Sequence, residues 1–286
     1  MGKEKILVTG ANGQLGKELQ AASGAWPSFD FIFLGREDLP MQHPDKIAGI
    51  IEEIHPSWCI NCAAYTAVDK AETEKHLADT VNGEAVGRLA EACRKIKARL
   101  IHISTDYVFD GSSATPLKED DPTGPLNVYG ATKLKGEQLA LEQNPDTLII
   151  RTSWVYSEFG NNFVKTMMRL MNEKPFLNII DDQIGSPTYA ADLAAAILHI
   201  VAAKKFVPGI YHYSNEGQTS WYGFAQTIKE LTGSACPLHP ISTAQYPTPA
   251  KRPHYSLLDK GRIKTTYGLE IPDWQSSLRT CLSKLR

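Results

Sequence analysis

With 286 residues the chain is long enough to bury a substantial core, as one large domain or two closely joined ones. Its 42% hydrophobic and 22% charged residues argue against disorder, and a formal net charge of −2 gives no reason to expect nucleic acid or an anionic membrane as a partner. Five cysteines, an odd number in a long chain, argue against a disulfide framework.

The N-terminal MGKEKILVTG carries an apolar run too brief for a signal-peptide core, and Ile6 stands where a myristoylation signal needs Ser or Thr. A cytoplasmic protein is the expectation. KILVTG reads as a first strand, and GANGQLG places Gly10, Gly13 and Gly16 at three-residue intervals before the helix GQLGKELQAA. Glycines there permit a tight turn, close approach of backbone N–H groups to a pyrophosphate, and close helix–strand contact, so this junction is expected to bind a dinucleotide. The next strand, FIFL, runs into Gly35 and Arg36. An acid at that point would hold a ribose 2′-hydroxyl, whereas the Arg36 guanidinium suits a 2′-phosphate and favours NADPH, with NADH still possible.

The helix DKIAGIIEEI leads to WCINCAAY, where Cys59 and Cys62 form C-x-x-C along an apolar strand. A redox pair belongs at a helix start and a zinc site needs a second pair, so these read as buried free thiols, and no metal is expected. NGEAVGRLAEACRKI follows as a helix and RLIHIST as a strand, its tip continuing into Thr105 and Asp106. Out of the Pro- and Gly-rich loop DGSSATPLKEDDPTGPL comes the helix YGATKLKGEQLALEQ, with Tyr129 and Lys133 one turn apart on one face. A phenol titrates near pH 10, too high to serve well at neutrality. A cation about 4 Å away at an effective dielectric of about 20 contributes roughly 4 kcal/mol, enough to lower that pKa by a few units.

TLIIRTSW is the next strand, ending at Trp154. Apolar strands separated by helices imply a doubly wound parallel sheet, Rossmann-like, with ligands at the strand C-termini. Beyond about residue 155 the pattern loosens: a helix at NNFVKTMMRLMN, a strand at FLNII, a helix at AADLAAAILHIVAA, a strand at GIYHYSNE, a helix from WYGFAQTIKELTG and the Pro-rich HPISTAQYPTPAKRP. The expected division is a dinucleotide-binding domain over 1–155 and, over 156–286, mainly a smaller substrate-binding lobe, with some segments free to return to the sheet. Trp154 could pack on a sugar or base or serve the core. Arg252, in the Pro-stiffened loop, could cap a diphosphate or be a solvated surface group. Asn162 could contact a nucleotide or cap the helix it precedes.

The glycine spacing, the tip at Thr105 and the Tyr129–Lys133 pair together resemble the short-chain dehydrogenase/reductase superfamily. There a Ser or Thr hydroxyl binds the substrate oxygen while the Tyr exchanges its proton. AAYTAVDKAE, STDYVFDG, PLNVYGATKLKGE, RTSWVYSEFGNNFVKTM and YPTPAKRPHYSLLD narrow the likeness to the dTDP-4-dehydrorhamnose reductase family. With GANGQLG they spread it over essentially the whole chain. The resemblance implies reduction of the C4 ketone of dTDP-4-dehydro-L-rhamnose with hydride from NAD(P)H. It implies catalytic roles for Thr105, Tyr129 and Lys133, and places Asp106 and Trp154 beside the nucleotide-sugar. Gly13, Gln14, Leu15, Ala63, Ala64, Tyr65, Thr66 and Ile103 match cofactor-contacting positions. Some members hold Mg²⁺ through glutamates; Glu18 matches one such position but Ala191 occupies another, so no metal is expected. A monomer or homodimer is the expected assembly. Two rival readings have the same fold: a regulatory subunit similar to the β subunit of methionine adenosyltransferase, and a nucleotide-sugar epimerase or dehydratase.

Overall fold

The apolar runs form a six-stranded sheet in the computed structural model, which describes residues 2–203 and 205–285. β1 (Glu4–Thr9), β2 (Phe29–Leu34), β3 (Trp58–Asn61), β4 (Arg99–Thr105) and β5 (Thr147–Thr152) are joined by Gly209–His212. The spatial order is Gly209–His212, β5, β4, β3, β1, β2, and every pairing is parallel. A parallel sheet is covered on both faces, which is why its strands are apolar throughout instead of alternating. In β1, Ile6 and Val8 join the core made by Leu15, Leu19 and the apolar face of helix Ala190–Ala202, whereas Leu7 joins Ile47, Ile51, Val86 and Leu89 on the other side. This is the doubly wound α/β architecture expected from the alternation of strands and helices.

The second half of the chain returns to this sheet. Helix Ala190–Ala202 packs on α1 (Gln14–Ser23), and Gly209–His212 extends the sheet beyond β5. The remainder has its own core, where Val164, Met167 and Met171 of helix Phe163–Glu173 meet Phe224, Ile228 and Leu278. Helices Gly261–Tyr267 and Trp274–Lys284 go beyond the elements expected from the sequence. The latter had a readable signal: Asp273 caps it by accepting from the Gln275 and Ser276 N–H groups, and Trp274, Leu278, Cys281 and Leu282 recur at helical spacing.

Two features aim the fold at one place. The chain leaves β1 for β2 on one side and returns to β3 on the other, so the C-terminal ends of β1 and β3 flank the crevice where such sheets bind ligands. Between helices Lys75–Asp79 and Ala85–Lys95, one turn (Thr80–Glu84) is π-helical, a wide turn common at functional sites. Cys59 is buried within β3 and Cys62 lies half-buried just beyond it, both as free thiols. Burial pushes the Cys62 thiol up to about 12, which leaves it unreactive.

Candidate active site

The glycine turn depends on the missing side chains. Gly10 has φ +64°, and a Cβ on it would stand 2.6 Å from the Ala63 nitrogen and 2.7 Å from the Cys62 carbonyl carbon. Its absence lets the ends of β1 and β3 touch. A Cβ on Gly16 would lie 2.4 Å from the Gly10 oxygen, so α1 can press onto the loop only as glycine. Gly13 precedes α1 without a side-chain cap, and the first helical bond is donated by Lys17 to the Gly13 oxygen at 3.0 Å. The N–H groups of Gln14, Leu15 and Gly16 therefore lack intrahelical acceptors and form a cradle that fits a pyrophosphate.

Ala63, Ala64, Tyr65 and Thr66 continue from β3 along this crevice. The Ala63 N–H donates to Asn61 Oδ1 at 3.2 Å and Thr9 Oγ1 at 3.3 Å. Asn82, in the π-helical turn, accepts from the Tyr65 N–H at 2.8 Å and donates to the Tyr65 oxygen at 3.0 Å. Arg36 is exposed past the tip of β2, where Asp38 folds back to accept from the Gly35 N–H at 2.8 Å.

Helix Val128–Gln143 opens abruptly because its first turn is fastened from three sides. Asn127 caps it by accepting from the Gly130 N–H at 2.8 Å and donates to the Lys251 oxygen at 2.7 Å; Glu72 accepts from the Val128 N–H at 2.9 Å. A Cβ on Gly130 would lie 2.2 Å from the Tyr107 oxygen, so the helix sits directly on the backbone that follows β4. That contact brings Tyr129 close to Thr105 and sets the Tyr107 and Tyr129 rings edge to face at 5.5 Å. Thr105 Oγ1 also donates to Asp106 Oδ1 at 3.0 Å and accepts from the Tyr107 N–H at 3.2 Å.

Lys133 is 2% exposed, and its Nζ donates to the Ile103 oxygen at 2.6 Å and lies 3.3 Å from His102 Nε2. Burial brings its pKa down to about 8, against the opposing influence of Glu137 and Cys62. The expected lowering of the phenol by this cation is not what the structure has. Burial pushes Tyr129 up to about 12, partly opposed by the neighbouring Thr105 hydroxyl, with the Asp106 charge raising it further. Burial of both groups is the cause. Spacing puts the two groups on one helix face, but both are desolvated there, and the Lys133 nitrogen is engaged by Ile103 and His102.

Asp106 is 1% exposed, its Oδ2 has no protein partner, and burial raises its carboxyl to about 6. Trp154 follows β5 with φ +49°, its ring stacked on Trp221 at 3.7 Å and 11°. Gly185 makes room for that ring, since a Cβ there would lie 2.9 Å from Trp154 Cε2. Arg252 is no freely solvated group: its two terminal nitrogens meet the Asp69 oxygens at 3.1 and 2.8 Å, bridging the second-lobe loop to the first lobe. Asn162 caps helix Phe163–Glu173 through the Lys165 N–H at 3.1 Å and donates to Gln14 Oε1 at 2.9 Å. Its contact is thus with the glycine loop, and both ends of its amide are already engaged.

Sequence reasoning passed over Asn61, His102 and Asn82, all fully buried, and the buried pair of Glu137 and Arg151, 2.7 Å apart. The available signal was a polar residue inside an otherwise apolar strand: Asn61 in WCIN and His102 in RLIHIST. Among the described residues, no group of three or more His, Cys, Asp or Glu side chains could hold a metal ion.

Residues 4–286 match the family model described as the RmlD substrate binding domain. A dTDP-4-dehydrorhamnose reductase of Burkholderia thailandensis is 42% identical over 98% of this chain and 99% of its own length. Crystal structures of the dTDP-4-dehydrorhamnose reductases of Clostridium acetobutylicum and, in complex with NADP, Bacillus anthracis each superpose with a TM-score of 0.94. The first is 40% identical and covers 98% of this chain and 99% of its own; the second is 38% identical and covers 99% of both. With its glycine cradle at the switch point and Thr105 and Tyr129 close together beside it, the chain belongs to the dTDP-4-dehydrorhamnose reductase family.

Proposed function

We propose that the protein reduces the C4 ketone of dTDP-4-dehydro-L-rhamnose to dTDP-L-rhamnose, with NADPH, or less favourably NADH, as reductant. The observation that carries this reading is the meeting of Thr105 and Tyr129 at the C-terminal end of β4, above the buried Lys133 and beside a glycine cradle that fits a dinucleotide. When bound, the nicotinamide supplies a hydride to the carbonyl carbon. Gly10, Gly13, Gln14, Leu15 and Gly16 would hold its pyrophosphate, Ala63 to Thr66 and Ile103 would line its path, and Arg36 would meet a 2′-phosphate.

Tyr129 gives its proton to the carbonyl oxygen. A phenol raised to about 12 is still far more acidic than the alcohol being formed, so transfer runs downhill in the reductive direction. The Thr105 hydroxyl, fixed by the Tyr107 N–H, orients that oxygen; Lys133, one turn along the helix from Tyr129 with its nitrogen donating to the Ile103 oxygen, would hold the nicotinamide ribose. Asp106 and Trp154 would contact the sugar, and Arg252 the diphosphate. Asn162 would act on substrate only through its hold on Gln14. We place the protein in the cytoplasm as a monomer or homodimer; among the described residues no helix is long and apolar enough to cross a membrane.

Tyr129→Phe tests the reading. It should fold and bind NADPH yet lose roughly 10²–10⁴-fold in turnover on the keto-sugar, the scale of a general acid. Near-normal turnover would refute the assignment. An epimerase or dehydratase would instead retain NAD through purification and consume no NADPH, and a regulatory subunit would turn over nothing.

A further inference from the structure

A buried polar chain runs behind the site, from the end of β1 to the lysine. Thr9 donates to Asn61 Oδ1 at 2.6 Å, Asn61 Nδ2 stands 2.9 Å from His102 Nδ1, and His102 Nε2 stands 3.3 Å from Lys133 Nζ. Thr9, Asn61 and His102 are each at most 1% exposed, so every proton in the chain must be shared out among its members. The Ala63 backbone fixes how. Its N–H can only donate, and it points at Asn61 Oδ1 from 3.2 Å. Turning the Asn61 amide over would set an N–H against an N–H, so the amide nitrogen must face His102 and donate to Nδ1. A neutral imidazole accepting at Nδ1 carries its proton on Nε2. Burial and the charge of Lys133 both keep His102 neutral. The Nε2–H therefore points at the lysine nitrogen. Beside an ammonium that contact is repulsive; beside a neutral amine it is a hydrogen bond.

We propose that Asn61 and His102 are positioning residues for Lys133, fixing an imidazole tautomer that presents Nε2–H to the lysine nitrogen and favours its neutral amine. This rests on the reductase reading for its purpose but not for its physics. The Lys133 ammonium, made more acidic in this way, can return a proton to the Tyr129 phenolate left by reduction, one N–H bond of the ammonium breaking as the phenol O–H re-forms; the neutral amine left behind then takes a proton from water. The other titratable groups that act on it are Cys62 beyond β3 and Glu137, one turn further along the helix. Glu137 is committed to Arg151 of β5 at 2.7 Å and Ser104 of β4 at 2.5 Å, which leaves Lys133 without a dedicated carboxylate partner.

The test needs no substrate. Ring ¹⁵N spectra of the cofactor-free protein should show His102 neutral with its proton on Nε2 between about pH 6 and pH 9. Side-chain ¹³C titration, with Lys133 assigned through Lys133→Arg, should place its midpoint below those of the surface lysines. His102→Asn keeps a group near Nδ1 but removes the N–H at Nε2, and should raise that midpoint by about one pH unit. His102→Gln, whose amide can present an N–H near the Nε2 position, should leave it close to wild type. A proton on Nδ1, equal shifts in both variants, or no shift in either would overturn the proposal. These spectra hold whether or not the keto-sugar is reduced, whereas a failed Tyr129→Phe result would sink the reductase mechanism and leave the tautomer untouched.

Discussion

Replacing Gly10 by Ala is the most direct test of how the cofactor cradle is built. An L-residue at φ +64° carries a left-handed penalty of about 1–2 kcal/mol. The added Cβ would also lie 2.6 Å from the Ala63 nitrogen and 2.7 Å from the Cys62 carbonyl carbon. Carbon atoms rest at about 3.5–4.0 Å, so the ends of β1 and β3 must part by roughly 1 Å. These are backbone atoms, and no rotamer change can relieve them. Parting them strains the Ala63 N–H bonds to Thr9 and Asn61, now 3.3 and 3.2 Å, and overpacking of this kind adds about 1–3 kcal/mol. Gly10→Ala should therefore lose about 2–5 kcal/mol in urea unfolding followed by circular dichroism. NADPH affinity, from quenching of tryptophan fluorescence, should fall more than about tenfold, because the displaced atoms line the cradle. Gly49→Ala is the control. Gly49 lies inside helix α2 (Ile47–Ile54) with nothing within 4 Å of an added Cβ, so alanine should stabilise by about 0.5–1 kcal/mol. Stability within about 0.5 kcal/mol of wild type and unchanged NADPH affinity in Gly10→Ala would refute the reasoning.

Glu137→Ala should cost about 3–5 kcal/mol, since it strands the Arg151 guanidinium, 3% exposed, in the interior; a Glu137→Met, Arg151→Met double variant as unstable as this single one would contradict that account. Arg36→Ala should weaken NADPH much more than NADH in a direct binding titration, and equal effects would reduce Arg36 to surface decoration. Arg252→Ala should chiefly raise KM for the keto-sugar while kcat falls less, because a diphosphate is bound alike in ground and transition states; an unchanged KM would remove Arg252 from the site. Glu18, 3% exposed, is held up to about 7 chiefly by burial, so the folded chain binds its proton more tightly than the unfolded chain, which releases it near 4.5. Its contribution is full below pH 4.5 and is lost as pH rises to about 7, so Glu18→Gln should gain about 1–3 kcal/mol on wild type across that window. Parallel stability–pH curves for the two proteins would exclude this.

What the sequence by itself determined was local or periodic. Uninterrupted apolar strands separated by helical patterns required a parallel sheet covered on both faces, and the glycines at 10, 13 and 16 marked a turn where backbone and helix approach closely. Tyr129 and Lys133 could be placed on one face because a helix fixes what lies four residues on. Their acidity could not be read that way. It depends on burial and on partners from distant strands, and these leave the phenol near 12 and the ammonium near 8 instead of lowering the phenol. Long-range pairings were likewise invisible. Arg252 meets Asp69 across 183 residues, Asn162 meets Gln14 across 148, and Gly209–His212 reaches the edge of the sheet only after the chain has built part of a second lobe. A strand records in its sequence that it will be buried, but not which strand will lie beside it. Register and partner are fixed only when the whole core closes, and with them the donors and acceptors that decide which proton sits where.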